Sequence, residues 1–382
     1  MPRRLTVERI QRRAKKARRE GIIYADIAEL VRDEEEEERG VPLLLRKKRR
    51  ERRLVVTGAA GRVGSEVVPS LLGDFDVIGI VKELSHAHHL LEHIKHAAAH
   101  KKPKALKIVQ DGLDDEKKLA AMLSRVSQVI HLAGSVDYDA SLDEMVDRNV
   151  KPTMVVANAC KRAGVDRLIL ASSTSVFRKP QYLPIDESHP YQPANAYGQS
   201  KALSEEAVKV SGVPYVVARF PIIYGKTFKE GFGDVISMTE KGKMPIIGQG
   251  RNRISFIHID DVVHAFGRIL LHKEIRNEEF NFVGETRTQE DCFRAIARAL
   301  GVEPPKKRVP RSVAMGGALI QKAIAKIQGK PPKFRPEYVS TLSDDRYFTA
   351  EKARRMLGFR PSVTLEEGIR AYLERKGEIR GK

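Results

Sequence analysis

The sequence predicts an α/β fold, with a doubly wound parallel sheet, helices on both faces, and a smaller C-terminal unit. Two observations lead there. From residue 54 onward, short segments rich in β-branched residues alternate with longer stretches of helical apolar spacing, the pattern of βαβ units. And Leu54-Val55-Val56 runs directly into Thr57-Gly58-Ala59-Ala60-Gly61-Arg62-Val63-Gly64, which reads as a buried strand, a glycine turn and a helix start.

Taken in order, the strands are expected at Leu54–Val56, Val77–Val81, Lys107–Val109, Val129–Leu132, Leu168–Ala171 and Tyr215–Ala218. Helical spacing marks Met145–Ala163 and Ala202–Val210. After Tyr224-Gly225 the pattern loosens, then Ile254–Ile259 reads as another strand. An apolar helical stretch, Val313–Ile327, follows Pro304-Pro305, and two short helices are expected around Gly358-Phe359-Arg360-Pro361. The expected division is a charged extension over 1–53, a nucleotide-binding domain over 54–225 with 254–272 returning to it, and a substrate domain from 226–253 and 273–382. The last would lie across the carboxyl ends of the strands, where α/β sheets bind ligands.

In the glycine turn, Gly58 suits a tight bend, Gly61 lets backbone amides approach an anion, and Gly64 allows close helix–strand packing. This arrangement delivers a dinucleotide pyrophosphate to a helix N-terminus. Far downstream stands the chemistry such a cofactor needs. Tyr197 and Lys201, four apart at the start of a helical run, share one helix face. An ammonium there favours phenolate over phenol and is expected to lower the Tyr197 pKa. Ser173, just beyond the strand Leu168–Ala171, can offer its hydroxyl to a substrate oxygen.

At 382 residues the chain can bury a core large enough for two domains. Only Cys160 and Cys292 are present, which argues against a disulfide framework and for a reducing, cytoplasmic compartment. Both read as buried small apolar groups. No stretch reaches the roughly 20 apolar residues of a membrane span. The formal charge of +19 favours acidic partners. Basic clusters at 12–16 and 46–50 flank the acidic run 34–38, and the ordinary reading of such blocks is a solvated tail. Ile10, Ala14 and Ala17 leave nucleic acid or an anionic membrane as partners of this extension that are not expected. His86, His88, His89, His93, His96 and His100 include a helical face of four, but no cysteine joins them and no metal is expected.

These motifs together resemble the extended short-chain dehydrogenases/reductases over about residues 53–375. Thr57–Gly64 matches the family's TGxxGxxG turn, and the strand end Leu132, Ala133 and Gly134 its nicotinamide-lining segment. Ser172–Phe177 matches SSxxVY, with the catalytic hydroxyl at Ser173. Tyr197 and Lys201 match the catalytic pair, Arg219–Gly225 resembles RPxxVYG, and Phe256–Val262 resembles FxHVDDV. The resemblance implies a Rossmann fold, a nicotinamide cofactor that carries the hydride, Tyr197 as general acid/base, Lys201 also on the nicotinamide ribose, and a homodimer through helices of the nucleotide-binding half. It implies that Asp111 contacts adenine, although Asp111-Gly112 stands where Gly-Asp is usual. Residues 1–53 have no counterpart.

Nucleotide choice rests on the second strand, which ends in Lys82 where an NAD-selective fold has an acid. Lys82 and Arg62 suit a 2′-phosphate, so NADP is expected; Glu83, one position later, keeps NAD open. Three substrate classes compete. A non-catalytic NADP-binding regulator has little reason to keep Ser173, Tyr197 and Lys201. Thr174-Ser175 replaces the Asp-Glu that sugar dehydratases of this family carry. Many nucleotide-sugar members hold a pyrophosphate-pairing arginine two residues before the FxHV phenylalanine; Ile254 stands there, with Arg253 displaced by one. Gly248–Phe256 and Val313–Ile327 resemble the branch of 3β-hydroxysteroid dehydrogenases and dihydroflavonol reductases, and Val313–Ile327 can roof a lipophilic pocket or pack between domains. The expected activity is therefore interconversion of a secondary alcohol and ketone on a largely apolar small-molecule substrate, with nucleotide-sugar epimerisation as the alternative.

Overall fold

The structure is a computed structural model that describes residues 22–25, 52–88, 90–91, 94, 106–177, 180–226, 228, 231–328 and 335–376. Two compact units emerge. The first holds Met1–Ser173, Asn195–Ala218 and Ile269–Glu279; the second holds Thr174–Ala194, Arg219–Arg268 and Phe280–Lys382.

The first unit is built on an eight-stranded sheet in the order β1-β4-β3-β2-β5-β6-β7-β11. Its strands are β1 (Ile22–Ala25), β2 (Arg53–Thr57), β3 (Asp76–Val81), β4 (Leu106–Gln110), β5 (Gln128–His131), β6 (Arg167–Ser173), β7 (Tyr215–Phe220) and β11 (Glu278–Asn281). β2 pairs in parallel with both β3 and β5, so the strand order reverses beside the glycine turn. That is the switch point at which open α/β sheets bind ligands. Each strand expected between residues 54 and 218 is present.

The helices follow from local signals. α1 (Gly64–Leu71) leaves the glycine turn directly. α2 (Glu116–Leu123) is capped by Asp115, which accepts from the Lys118 amide at 3.0 Å. α3 (Leu142–Met145) runs through a π-helical turn, Val146–Val150, into α4 (Lys151–Ala163), which stops at Gly164 with φ of 65°. α5 (Ala196–Ser211) starts at the Asn195 cap and ends at Gly212 with φ of 73°. Leu119, Met122 and Leu123 of α2, Val156 and Cys160 of α4 and Val208 of α5 bury against Val55, Ile78, Ile80, Val109, Val129 and Leu168 of the sheet. Side chains of this size each contribute about 1.5–3 kcal/mol when fully buried. Arg167 is buried among them. It donates to Gln128 and to the carbonyls of Ile269, His272 and Ile275, so its charge is paired with dipoles rather than water.

β1 is a departure from the expected organisation. Ile22–Ala25, within the extension, pairs in parallel with Leu106–Val109 and covers the edge of β4. An edge strand presents unpaired backbone groups, and covering it satisfies them. The basic clusters of the extension and its Ile10–Ala17 stripe lie outside the described residues, as do His89, His93, His96 and His100. His86 and His88 are exposed.

The second unit also divides differently from the expected 225/226 boundary. Residues 174–194 and 219–268 belong to it, because β10 (Arg253–His258) pairs with β8 (Ile222–Tyr224) and β12 (Glu285–Thr288) in a separate three-stranded sheet. Of the segment expected to return, only 269–272 joins the first unit, at the end of α7 (Ile259–Leu271). β9 (Ile246–Ile247) and β13 (Arg308–Val309) form a short parallel pair. α6 (Phe232–Glu240), α8 (Gln289–Leu300) and α12 (Leu365–Lys376) enclose a core of Tyr224, Ile236, Ile254, Phe256, Phe293 and Ile369. α9 (Arg311–Gln328), α10 (Pro336–Ser343) and α11 (Glu351–Leu357) complete the unit. Among the described residues, no helix is long and apolar enough to cross a membrane.

Candidate active site

The glycine turn is held by backbone bonds from Gly61 N to Gly58 O at 2.9 Å and from Ser65 N to Gly61 O at 2.8 Å. Gly58 has φ of +66°, and a Cβ there would stand 2.7 Å from the Ala133 amide nitrogen. A Cβ on Gly64 would overlap the Gly58 carbonyl oxygen and lie 2.7 Å from the Ala59 oxygen. The turn is thus a backbone cradle that side chains would fill, ahead of a helix whose N-cap residue, Val63, makes no side-chain capping bond. Residues 57–64 fit a dinucleotide pyrophosphate on this ground.

Thr57 ties the turn to the next strand. Its hydroxyl bonds His131 Nδ1 at 2.6 Å and accepts from the Ala133 amide at 3.3 Å. His131 Nε2 lies 3.0 Å from the Thr153 hydroxyl, which itself donates to Asn149 O at 2.6 Å. Because Thr153 spends its proton on Asn149, Nε2 must be the protonated ring nitrogen and Nδ1 the acceptor from Thr57. Burial and the nearby Lys201 charge hold the His131 pKa down to about 3, so the ring stays neutral. Asn149, which sequence reasoning passed over, comes from the π-helical turn. It accepts from Ser135 N at 2.7 Å and donates to Ser135 O at 3.1 Å and Ser200 Oγ at 3.0 Å. That clamp fixes the Leu132–Gly134 segment: Gly134 has φ of +157°, and a Cβ there would sit 3.1 Å from Asn149 Oδ1.

Ser173, Tyr197 and Lys201 converge in the first unit. Asn195 accepts from Gly198 N at 2.8 Å and so sets the start of α5, presenting Tyr197 at its first turn. The Tyr197 and Ser173 side chains are hydrogen-bonded. Tyr138 packs edge-on against the Tyr197 ring, with centroids 5.8 Å apart. Lys201 is buried, and its Nζ donates to Ala171 O at 2.6 Å. The expected electrostatics need correction here. Burial, reinforced by Tyr138, raises the Tyr197 phenol above its usual range, while Ser173 and the Arg62 guanidinium pull it down. Lys201 is not what offsets the desolvation. Its own pKa falls to about 8 through burial, opposed by Glu205. Glu205 is fully buried one turn further along α5, and it accepts a short hydrogen bond from Ser172 Oγ. Tyr197, Lys201 and Glu205 therefore form an i, i+4, i+8 row. The row is visible in the sequence; the burial that gives Glu205 its influence is not.

Lys82 and Glu83 are both exposed just past the end of β3. Glu83 Oε2 takes a 3.3 Å bond from the Ser85 hydroxyl. Asp111, beside them, is buried. Its carboxylate accepts from Leu113 N at 2.7 Å and Lys118 Nζ at 3.1 Å, so it fixes the turn after β4 with donors of its own chain. In the second unit, Ile254 is buried in the core, while Arg253 pairs with Asp345 at 3.3 Å and lies 3.7 Å from the Tyr347 ring centroid. Cys160 and Cys292 are buried free thiols, and burial pushes Cys292 up to about 12.

Fold and motifs define a Rossmann enzyme of the extended short-chain dehydrogenase/reductase type, an NAD(P)-dependent oxidoreductase/epimerase class. Residues 55–372 match the model of the GDP-mannose 4,6 dehydratase family, and the chain belongs to that family. It is 27% identical over 333 residues to a Methanocaldococcus jannaschii protein named for UDP-glucose 4-epimerase, covering 83% of this chain and 95% of that one. It is 28% identical over 277 residues to the decarboxylating sterol-4-alpha-carboxylate 3-dehydrogenase of Mus musculus, covering 67% and 76%. The fold is shared with UDP-glucuronic acid 4-epimerase from Bacillus cereus, solved in complex with NAD. The TM-score is 0.65 at 22% identity, over 85% of this chain and 99% of that chain.

Proposed function

We propose that this chain is an NADP-dependent oxidoreductase that interconverts a secondary alcohol and a ketone on a largely apolar skeleton. When bound, the nicotinamide cofactor supplies or accepts the hydride. Tyr197 holds or delivers the proton at the substrate oxygen, and Ser173, hydrogen-bonded to Tyr197, orients that oxygen. Residues 57–64 cradle the pyrophosphate, and Leu132–Gly134, set by Asn149, lines the nicotinamide side. Lys201, one turn further along α5, would hydrogen-bond the nicotinamide ribose. Lys82 and Arg62 pair the 2′-phosphate, a role that the exposure of Lys82 at the end of β3 supports. Asp111 shapes the adenine side through the turn it anchors.

One observation carries the substrate class. At the position where nucleotide-sugar members hold a pyrophosphate-pairing arginine, Ile254 is part of the core, and the neighbouring Arg253 is engaged by Asp345 and Tyr347. The activity named for the mouse relative agrees with an apolar skeleton. The second reading, nucleotide-sugar epimerisation, is favoured by the coverage of the Methanocaldococcus relative and by the +19 charge. The same proposal includes a homodimer through α4 and α5, where Met154 and Leu203 are exposed, and a cytoplasmic location. Assaying purified protein with NADP and a panel of 3β-hydroxysteroids, in parallel with UDP-glucose and UDP-galactose, separates the readings. Reduction of NADP by the alcohols supports the proposal; sugar epimerisation without any response to the alcohols overturns it.

A further inference from the structure

α9 is the described element least accounted for by the reaction. One face of this 18-residue helix packs inward through Ala314, Met315 and Ala318 against Ile247, Val339 and Leu342. The opposite face carries Val313, Ile320, Ile324 and Ile327, which are 61%, 62%, 46% and 86% exposed. Their spacing of seven, four and three residues aligns them in one narrow stripe, since an α-helix turns about 100° per residue. Gly316 and Gly317 lie within or beside the stripe, and a Cβ at either would meet nothing within 4 Å. Scattered exposed apolar residues are ordinary, but a continuous stripe of β-branched residues along four turns is not. The stripe is what remains of the expectation that Val313–Ile327 roofs a pocket: its outward apolar face is exposed.

The formal charge of the sequence segment that carries the stripe indicates what covers it. Between Glu303 and Glu337 the chain holds nine lysines and arginines and no acidic residue. Four of these, Lys306, Arg308, Arg311 and Lys322, are paired with Glu303, Glu290, Asp344 and Glu337, and the formal charge of the nine together with these four partners is positive. An apolar stripe on a helix whose other charges are all basic matches the physics of a helix lying in the headgroup layer of an anionic bilayer. A second copy fits less well, because an isologous contact through α9 would bring two such cationic segments together.

We propose that α9 docks this protein on an anionic phospholipid surface, with Val313, Ile320, Ile324 and Ile327 entering the interface. The inference does not depend on the reaction assigned above, and its test needs no turnover. Full-length protein is sedimented with vesicles of phosphatidylcholine alone and with vesicles containing phosphatidylglycerol, beside the variant Ile320→Ser/Ile324→Ser/Ile327→Ser. These three side chains are exposed, so thermal melting and NADPH binding of the variant should match the parent and certify its fold. The expected result is binding to the anionic vesicles only, weakened by salt and reduced at least tenfold in the variant. Equal binding by parent and variant would assign the lipid contact to another part of the chain and overturn the proposal. So would absence of binding, or a parent dimer that the variant converts to monomer, which would give the stripe to a second copy.

Discussion

Glu205→Gln isolates the electrostatics of the α5 row. Lys201 is buried and titrates near 8, with Glu205 opposing the desolvation that drives it down. Residues four apart on a helix have Cβ atoms about 5–6 Å apart. Unit charges about 6 Å apart at an effective dielectric constant of about 20 interact by about 3 kcal/mol, which equals about two pH units. A lysine is charged below its pKa, so Lys201 is mostly ammonium at pH 7 and mostly amine at pH 9. If the ammonium is required, kcat/KM should fall on the alkaline side with a limb near pH 8. Removing the Glu205 charge should move that limb to lower pH by about one to two units, with activity recovering as pH is lowered. Glutamine keeps an acceptor for Ser172, so the packing of this buried pair is retained. The other groups around Lys201 do not mimic the effect. His131 is neutral throughout this range, and the Tyr197 phenol is raised above its usual value. The assay is a pH profile of kcat/KM for both proteins, with melting temperature as a control. An alkaline limb that stays in place, or moves to higher pH, refutes the reasoning.

Four further outcomes follow from the same geometry. Tyr197→Phe should abolish turnover while leaving NADPH affinity within a few-fold by fluorescence titration. Gly64→Ala forces a methyl onto the Gly58 carbonyl, and overpacking of this kind costs about 1–3 kcal/mol; cofactor affinity should fall about 10–100-fold, and the melting temperature should drop. Lys82→Asp should weaken NADP and improve NAD, by about 1–3 kcal/mol for a lost charge-assisted contact, read from the ratio of the two dissociation constants. Deleting residues 1–50 should leave a folded, cofactor-binding protein, because no residue of the site is removed. It also strips β1 from the β4 edge, so light scattering should show more self-association than in the full chain.

The strands between residues 54 and 218, the glycine turn and the placement of Tyr197 and Lys201 on one helix face could be read from the chain because each rests on local rules. β-branched runs, glycines that no Cβ can replace, and i, i+4 spacing act over a few residues. Arg253 and Ile254 were likewise told apart by the alternation of a strand. What the sequence could not supply depends on partners distant in the chain. Ile22–Ala25 looks like part of a charged tail until its backbone meets β4, more than 80 residues away. Asn149 is one polar residue in a helical run until the π-helical turn aims it at Ser135. The reversal at Tyr197 has the same origin. Spacing places Lys201 near it, but only the packed interior sets how much water each group loses, and desolvation there outweighs the neighbouring charge. Sequence by itself determined which groups meet along one strand or helix; tertiary burial decided their protonation and which of them are held by others, because dielectric environment and long-range hydrogen bonds exist only once the chain has closed on itself.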